Sequence, residues 1–303
     1  MESGAIRIEE LLGGFDLQST VESGQSYLWR RADGRMYESE PAYGGSAWYH
    51  TVVDGEALRV RQVGGPREGT LEWESTGDGA ALLTDLLRLD DDLAGIRRRS
   101  PEDDLVRRAY DAFEGMRLVR DPPFGTLVSF ICSAQMRVAR IHGMVTALAR
   151  EYGDPVGFAG PGDDGAGTYY GFPAPERLAG ATEAELRDLG LGYRAPYVVE
   201  TARMVADGED PAAAADLAYE DAREHLTRFV GVGDKVADCV LLFSLGFLEA
   251  VPLDTWIRTA IEDHYPGCER GTYRETSRAI REQFGGDVAG YVQTYVFNYL
   301  RTR

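Results

Sequence analysis

Lysine is almost missing from this sequence: Lys235 is the single lysine among the 32 lysine and arginine side chains of the 303-residue chain. A guanidinium keeps its proton in water, so Lys235 is the one side-chain amine that can become neutral and attack an electrophilic carbon. Cysteine and histidine are scarce as well, at three and four residues. Cys132, Cys239 and Cys268 are too few and too scattered for a disulfide framework, a zinc ribbon or a four-cysteine iron–sulfur cluster. His50, His142, His225 and His264 show no ligand spacing, and no catalytic transition metal is expected. Long apolar runs are absent too. The longest, Cys239–Leu248, is interrupted by Ser244 and Gly246 and is far short of the roughly 20 residues that span a bilayer. Met1–Gly14 has no signal-peptide layout, so the expectation is a cytoplasmic protein with no membrane partner.

What is present is acid. The formal net charge is −18 and the pI near 4.7, with aspartate and glutamate spread along the chain rather than gathered in a tail. Charge alone argues against a nucleic-acid partner. With lysine nearly eliminated, however, the composition reads as adaptation to a cytoplasm of very high salt, where the Debye length shrinks to about 3 Å and net charge no longer reports on partners.

An apolar content of 44% supports a sizeable core, and the pattern along the chain predicts an α+β protein. Residues 1–78 are rich in aromatic and β-branched residues punctuated by glycine. Strands are predicted over 46–53, 57–63 and 70–74, the first two joined by an Asp54-Gly55 turn. From Gly79 onward the period is helical, with helices predicted over 80–93, 103–115, 125–152, 183–190, 197–206, 219–229, 235–247, 254–264, 273–284 and 287–300. Residues 154–168, with five glycines, read as a surface loop. The division expected is an N-terminal antiparallel sheet domain with a linking helix over 1–100, then an all-helical region over 101–303.

Lys235 lies in Phe229-Val230-Gly231-Val232-Gly233-Asp234-Lys235-Val236-Ala237-Asp238-Cys239, a glycine turn between two predicted helices. No strand precedes it, so it is not a dinucleotide fingerprint, and it lacks the spacing of a phosphate loop. Two residues without side chains let amides at a helix N-terminus approach a phosphate closely, although such a turn is also an ordinary helix connection. Asp254, in Val251-Pro252-Leu253-Asp254, follows 19 positions after the lysine and is in itself a good helix N-cap before Thr255-Trp256-Ile257.

These segments resemble the helix-hairpin-helix DNA glycosylases, specifically the 8-oxoguanine DNA glycosylase/lyase branch, with the hairpin at about 219–247. The likeness extends collinearly over nearly the whole chain. It takes in Ser23-Gly24-Gln25-Ser26-Tyr27, Phe130-Ile131-Cys132-Ser133 running into Ala139-Arg140-Ile141, Tyr170-Gly171-Phe172-Pro173, Leu189-Gly190-Leu191-Gly192-Tyr193-Arg194-Ala195 and Gly290-Tyr291-Val292-Gln293 with Phe297. The resemblance implies that Lys235 attacks C1′ of the damaged nucleotide, expels the base and forms a Schiff base that permits β-elimination. Burial at a helix N-terminus favours the neutral amine, and Asp254 stabilises positive charge growing on the sugar.

By the same resemblance, Cys239 and Phe297 sandwich the flipped base and Gln293 reads its Watson–Crick edge; without it, Phe297 and Cys239 read as core. Gly24 supplies a carbonyl against the proton that 8-oxoguanine carries at N7, where guanine has an acceptor. Tyr193, Arg194 and Arg140 wedge the stack and read the orphaned cytosine, and Gly231 and Gly233 approach the backbone. Two positions depart from the family pattern: Gln135, in Ala134-Gln135-Met136-Arg137, stands where eukaryotic members have an asparagine run, and Trp256 replaces a phosphate-contacting histidine. The expected protein is a monomer acting on damaged double-stranded DNA. No redox or nucleotide cofactor is implied; a structural monovalent cation on the carbonyls of Thr227, Phe229 and Val232 is allowed by analogy. The alternatives are a monofunctional alkylpurine DNA glycosylase and a non-catalytic helix-hairpin-helix DNA-binding protein, neither of which needs Lys235.

Overall fold

Alternating apolar and polar residues in the first quarter of the chain build one antiparallel sheet. In the structure, a computed structural model that describes residues 1–38, 47–158 and 167–303, the sheet has five strands. They are β1 (Glu2–Arg7), β2 (Arg30–Arg31), β3 (Tyr49–Val53), β4 (Glu56–Gly64) and β5 (Gly69–Ser75), in the order β1-β5-β4-β3-β2. The β3–β4 hairpin turns at Asp54 and Gly55, both with positive φ, the turn that suits the right-handed twist of its strands. Ser46, where the first strand was expected to begin, lies outside the described residues. β1 was not expected. Its sequence has little β-branched content, and its pairing along nearly all of β5, from Glu2 opposite Ser75 to Arg7 opposite Thr70, comes from the neighbour rather than from propensity.

Between β1 and β2 the chain forms α1 (Leu17–Glu22), started by Asp16, whose carboxylate accepts from the Ser19 N–H at 2.6 Å. Two of the expected long helices are each broken by one residue in the left-handed region. The predicted helix 80–93 ends as α2 (Gly79–Leu86), because Arg88 takes φ 49°, and a new helix, α3 (Leu93–Arg99), starts on Asp92. The Arg88 turn is held from below by Arg117, which is wholly buried and donates to the carbonyls of Leu12, Gly14, Arg88 and Asp91. After α4 (Asp104–Ala112), the predicted helix 125–152 is likewise two, α5 (Pro123–Cys132) and α6 (Val138–Tyr152), separated where Gln135 takes φ 54°.

The surface loop expected over 154–168 is ordered at its ends. β6 (Pro155–Phe158) and β7 (Gly167–Tyr170) pair antiparallel, and residues 159–166 lie outside the described residues. This small sheet packs on the first: Phe158 is buried with Val52 and Ala57, and Tyr169 stacks on His50 with ring centroids 3.9 Å apart. Helices complete the chain: α7 (Pro175–Ala179), α8 (Glu183–Asp188), α9 (Ala195–Ala206), α10 (Tyr219–Leu226), α11 (Asp234–Phe243), α12 (Thr255–His264), α13 (Tyr273–Gln283) and α14 (Ala289–Arg301). Most of these begin within two residues of the predicted start; α7 was not expected. One continuous core joins sheet and helices, with α5 buried from Gly125 to Cys132, α11 packed on α5 and α10, and α4 and α12 packed on α14. Among the described residues no helix is long and apolar enough to cross a membrane.

Candidate active site

Three non-helical segments open onto one cleft of about 800 Å³. They are the turn at 23–25 after α1, the break at 133–137 between α5 and α6, and the run 252–254 that leads into α12. The walls between them come from α11, with Lys235 and Cys239, and from α14, with Gln293 and Phe297. Gly24, Gln135 and Asp254 line the same cleft, so residues spread over the whole chain meet because helix ends and breaks converge there.

Lys235 is the second residue of α11, at the positive end of the helix dipole. Its Nζ donates to Ser133 Oγ at 3.0 Å and stands 5.5 Å from the centroid of the Phe130 ring. Ser133 gives its one hydroxyl proton to the Phe130 carbonyl at 2.7 Å, so towards the amine it acts as an acceptor. Asp254 caps α12, Oδ1 accepting from the Ile257 N–H at 2.8 Å. Burial pushes its carboxyl above the usual range, and the Ile257 amide, the Lys235 charge and the Trp256 amide only partly offset that. Cys239 lies one turn beyond Lys235 and is buried, and burial pushes its thiol up to about 12. It is therefore a neutral, polarizable wall rather than a second nucleophile.

Gln293 is buried, and its amide nitrogen donates to Thr294 Oγ1 at 2.8 Å. Phe297, one turn on, is half-buried. Gly24 has φ 92°, and a Cβ there would stand 3.0 Å from Val138 Cγ1 and 3.5 Å from Phe297 Cε1; the positive φ and the tight approach to Val138 favour glycine, and they set the backbone of residue 24 beside the aromatic ring. Gln25 fixes this turn. Its amide nitrogen donates to the Thr20 and Arg117 carbonyls, both at 2.8 Å, and its oxygen accepts from the Val119 N–H at 2.9 Å.

Gly231, Gly233, Tyr193, Arg194 and Arg140 lie outside the cleft walls. Gly231 has φ 84°, and a Cβ there would meet Tyr197 Cβ at 2.7 Å; around Gly233, which caps α11, nothing lies within 4 Å of that position. Tyr193 is 55% exposed and meets Tyr197 edge-on. Arg194 is buried, donates to the Ala134 carbonyl and lies over the Tyr193 ring, which ties the Tyr193 turn to the Gln135 break. Arg140 and Gln135 are exposed. Ser133 carries no sequence signal for this role: it ends the Phe130–Ser133 run, and nothing local points to a bond with a residue 102 positions away.

Comparison with known proteins fits this geometry. Residues 7–127 match the model of the 8-oxoguanine DNA glycosylase N-terminal domain, and residues 128–285 that of the HhH-GPD superfamily of base excision DNA repair proteins. A Methanothermobacter thermautotrophicus protein named "Probable N-glycosylase/DNA lyase" is 32% identical over 96% of this chain and 95% of its own. The N-glycosylase/DNA lyase of Saccharomyces cerevisiae is 32% identical over 86% of this chain and 71% of its own. The Clostridium acetobutylicum 8-oxoguanine glycosylase/lyase, solved with double-stranded DNA containing cytosine opposite 8-oxoguanine, superposes with a TM-score of 0.80 at 26% identity, covering 95% of this chain and 92% of that one.

Proposed function

The chain belongs to the HhH-GPD superfamily of base excision DNA repair proteins, in the 8-oxoguanine DNA glycosylase branch, and from that premise we propose that it excises 8-oxoguanine opposite cytosine and then cleaves the strand as an AP lyase. The observation that carries the reading is the meeting of the Lys235 amine, the Asp254 carboxyl and the side chains of Cys239, Gln293 and Phe297 in a single cleft. Reaching a base in duplex DNA requires flipping it out of the stack. Tyr193 is the wedge, Arg140 and Arg194 face the orphaned cytosine, and Gln135 fills part of the gap. Gly231 and Gly233 let the hairpin amides approach the phosphates. The flipped base enters between Cys239 and Phe297, with Gln293 on its Watson–Crick edge and the Gly24 carbonyl accepting from N7–H, which guanine lacks.

Lys235 Nζ then forms a bond to C1′ as the C1′–N9 bond breaks, the departing base keeping the electron pair and taking up a proton. Asp254, as carboxylate, stabilises the positive charge that grows on the sugar. Opening of C1′–O4′ gives the imine, and loss of a C2′ proton breaks C3′–O3′. The Phe229 carbonyl accepts from the Val232 N–H at 3.1 Å; a monovalent cation, were one bound at the hairpin, would be held by the carbonyls of Thr227, Phe229 and Val232 and would supply positive charge beside the hairpin amides. The protein acts as a monomer. Borohydride is expected to trap a covalent complex with 8-oxoguanine duplex, and Lys235→Arg to abolish it. An adduct formed by the arginine variant would overturn the assignment of the nucleophile.

A further inference from the structure

Asp238 is fully buried on the same helix as Lys235, and the excision chemistry does not use it. Every group facing its oxygens is a donor. Oδ1 accepts from the Tyr219 hydroxyl and from Arg223 Nε, both at 2.8 Å, and Oδ2 accepts from the Tyr273 hydroxyl at 2.8 Å. Tyr219 and Arg223 come from α10 and Tyr273 from α13, so one carboxylate joins both helices of the hairpin to a third. Tyr273 has a single hydroxyl proton, and it is given to Asp238. Its oxygen accepts in turn from the Leu253 N–H at 3.0 Å. The direction of the chain is therefore fixed: Leu253 amide, Tyr273 hydroxyl, Asp238 carboxylate, Arg223 guanidinium.

Leu253 directly precedes Asp254, and Asp238 lies three residues after Lys235. The two reacting groups sit on separate elements, one in the first turn of α11 and the other at the cap of α12, and the run 251–253 before the cap is buried but not helical. A segment without its own hydrogen-bond ladder takes its position from such external partners. We propose that Tyr273, anchored by Asp238, is a positioning residue for base excision: its hydroxyl holds residues 253 and 254 at a fixed distance from α11 and so sets Asp254 against Lys235. This rests on the roles given above to Lys235 and Asp254.

The test is a double-mutant cycle on Tyr273→Phe and Asp254→Asn, with single-turnover excision of 8-oxoguanine and strand cleavage at a preformed abasic site measured on each protein. Rates are divided by the active fraction counted by borohydride trapping on abasic DNA, so that partial misfolding cancels. A misplacement of about 1 Å costs up to about 10²-fold, and Tyr273→Phe is expected to slow excision on the order of tenfold. Cleavage at the abasic site, which has no base to expel, is expected to change little, and in the Asp254→Asn background the tyrosine change is expected to add almost nothing. Equal slowing of excision and abasic-site cleavage, multiplicative effects in the double mutant, or wild-type excision by Tyr273→Phe would each overturn the proposal. Wild-type excision by Asp254→Asn alone would instead remove the role of Asp254, and with it the function proposed for Tyr273.

Discussion

Asp254 is under two opposed demands. Its carboxyl is raised by burial, yet the chemistry needs the anion. Excision is therefore expected to fall as pH drops through a value above the ordinary carboxylate range of about 3.9, and a single-turnover pH profile whose acid limb sits at the ordinary value would contradict the burial. Stability follows the opposite sign. Below the unfolded value the group is protonated in both states and costs nothing; as pH rises from there through the raised folded value, the buried anion destabilises the native state, and the cost then stays constant. Asn also caps helices well, so Asp254→Asn is expected to melt higher than wild type near pH 7, with the difference vanishing towards pH 4, while excising far more slowly. Phe297 offers a second residue-level test. Stacking on an aromatic is worth roughly 1–3 kcal/mol per base, so Phe297→Ala is expected to slow excision by about tenfold to a hundredfold with little change in melting temperature. A large loss of stability with normal excision would return Phe297 to the core.

At the scale of elements, the helices near the hairpin were legible because their ends carry local signals: an Asp cap before Thr255, glycines before Asp234, and apolar residues at helical spacing between them. The breaks at Arg88 and Gln135 were not. A non-glycine residue in the left-handed region has no sequence signature, and here it is imposed by distant partners, Arg117 for the first, while the apolar period on either side runs on unbroken. For the same reason the cleft was legible as a set of residue types but not as a construction: the Ser133–Lys235 bond, the Gln25 clamp and the Asp238 hub all join segments far apart in sequence. The two hairpin glycines separate structural from interfacial need. Gly231→Ala places a Cβ against Tyr197 at positive φ and is expected to cost about 1–3 kcal/mol of stability. Gly233→Ala meets no protein atom within 4 Å; it is expected to lose about 0.5–1 kcal/mol, because alanine caps a helix less well than glycine, yet to weaken DNA binding clearly. Equal affinity of Gly233→Ala and wild type in a titration would mean that no phosphate approaches that amide.

For the whole molecule, a net charge of −18 opposes DNA at low ionic strength, whereas conventional DNA binders lose affinity as salt rises because phosphate contacts release counterions. The arginines of this chain are largely engaged with carboxylates, in exposed pairs such as Arg97–Asp111 and Arg187–Glu183 and in buried ones such as Arg59–Glu74 and Arg223–Asp238. They are poor candidates for a large counterion-releasing footprint. Besides Arg140 and Arg194 at the orphaned cytosine, what faces the DNA in the proposed complex is backbone amide at the hairpin, an exposed tyrosine and an apolar slot, contacts that depend little on net charge. Screening at molar salt weakens the repulsion without removing those contacts. Excision under single-turnover conditions is therefore expected to rise from about 0.1 M to above 1 M KCl, with circular dichroism followed in parallel to separate folding from binding. A steep monotonic fall in activity while the fold stays intact would contradict the salt-adapted reading and require a local basic groove to carry the affinity.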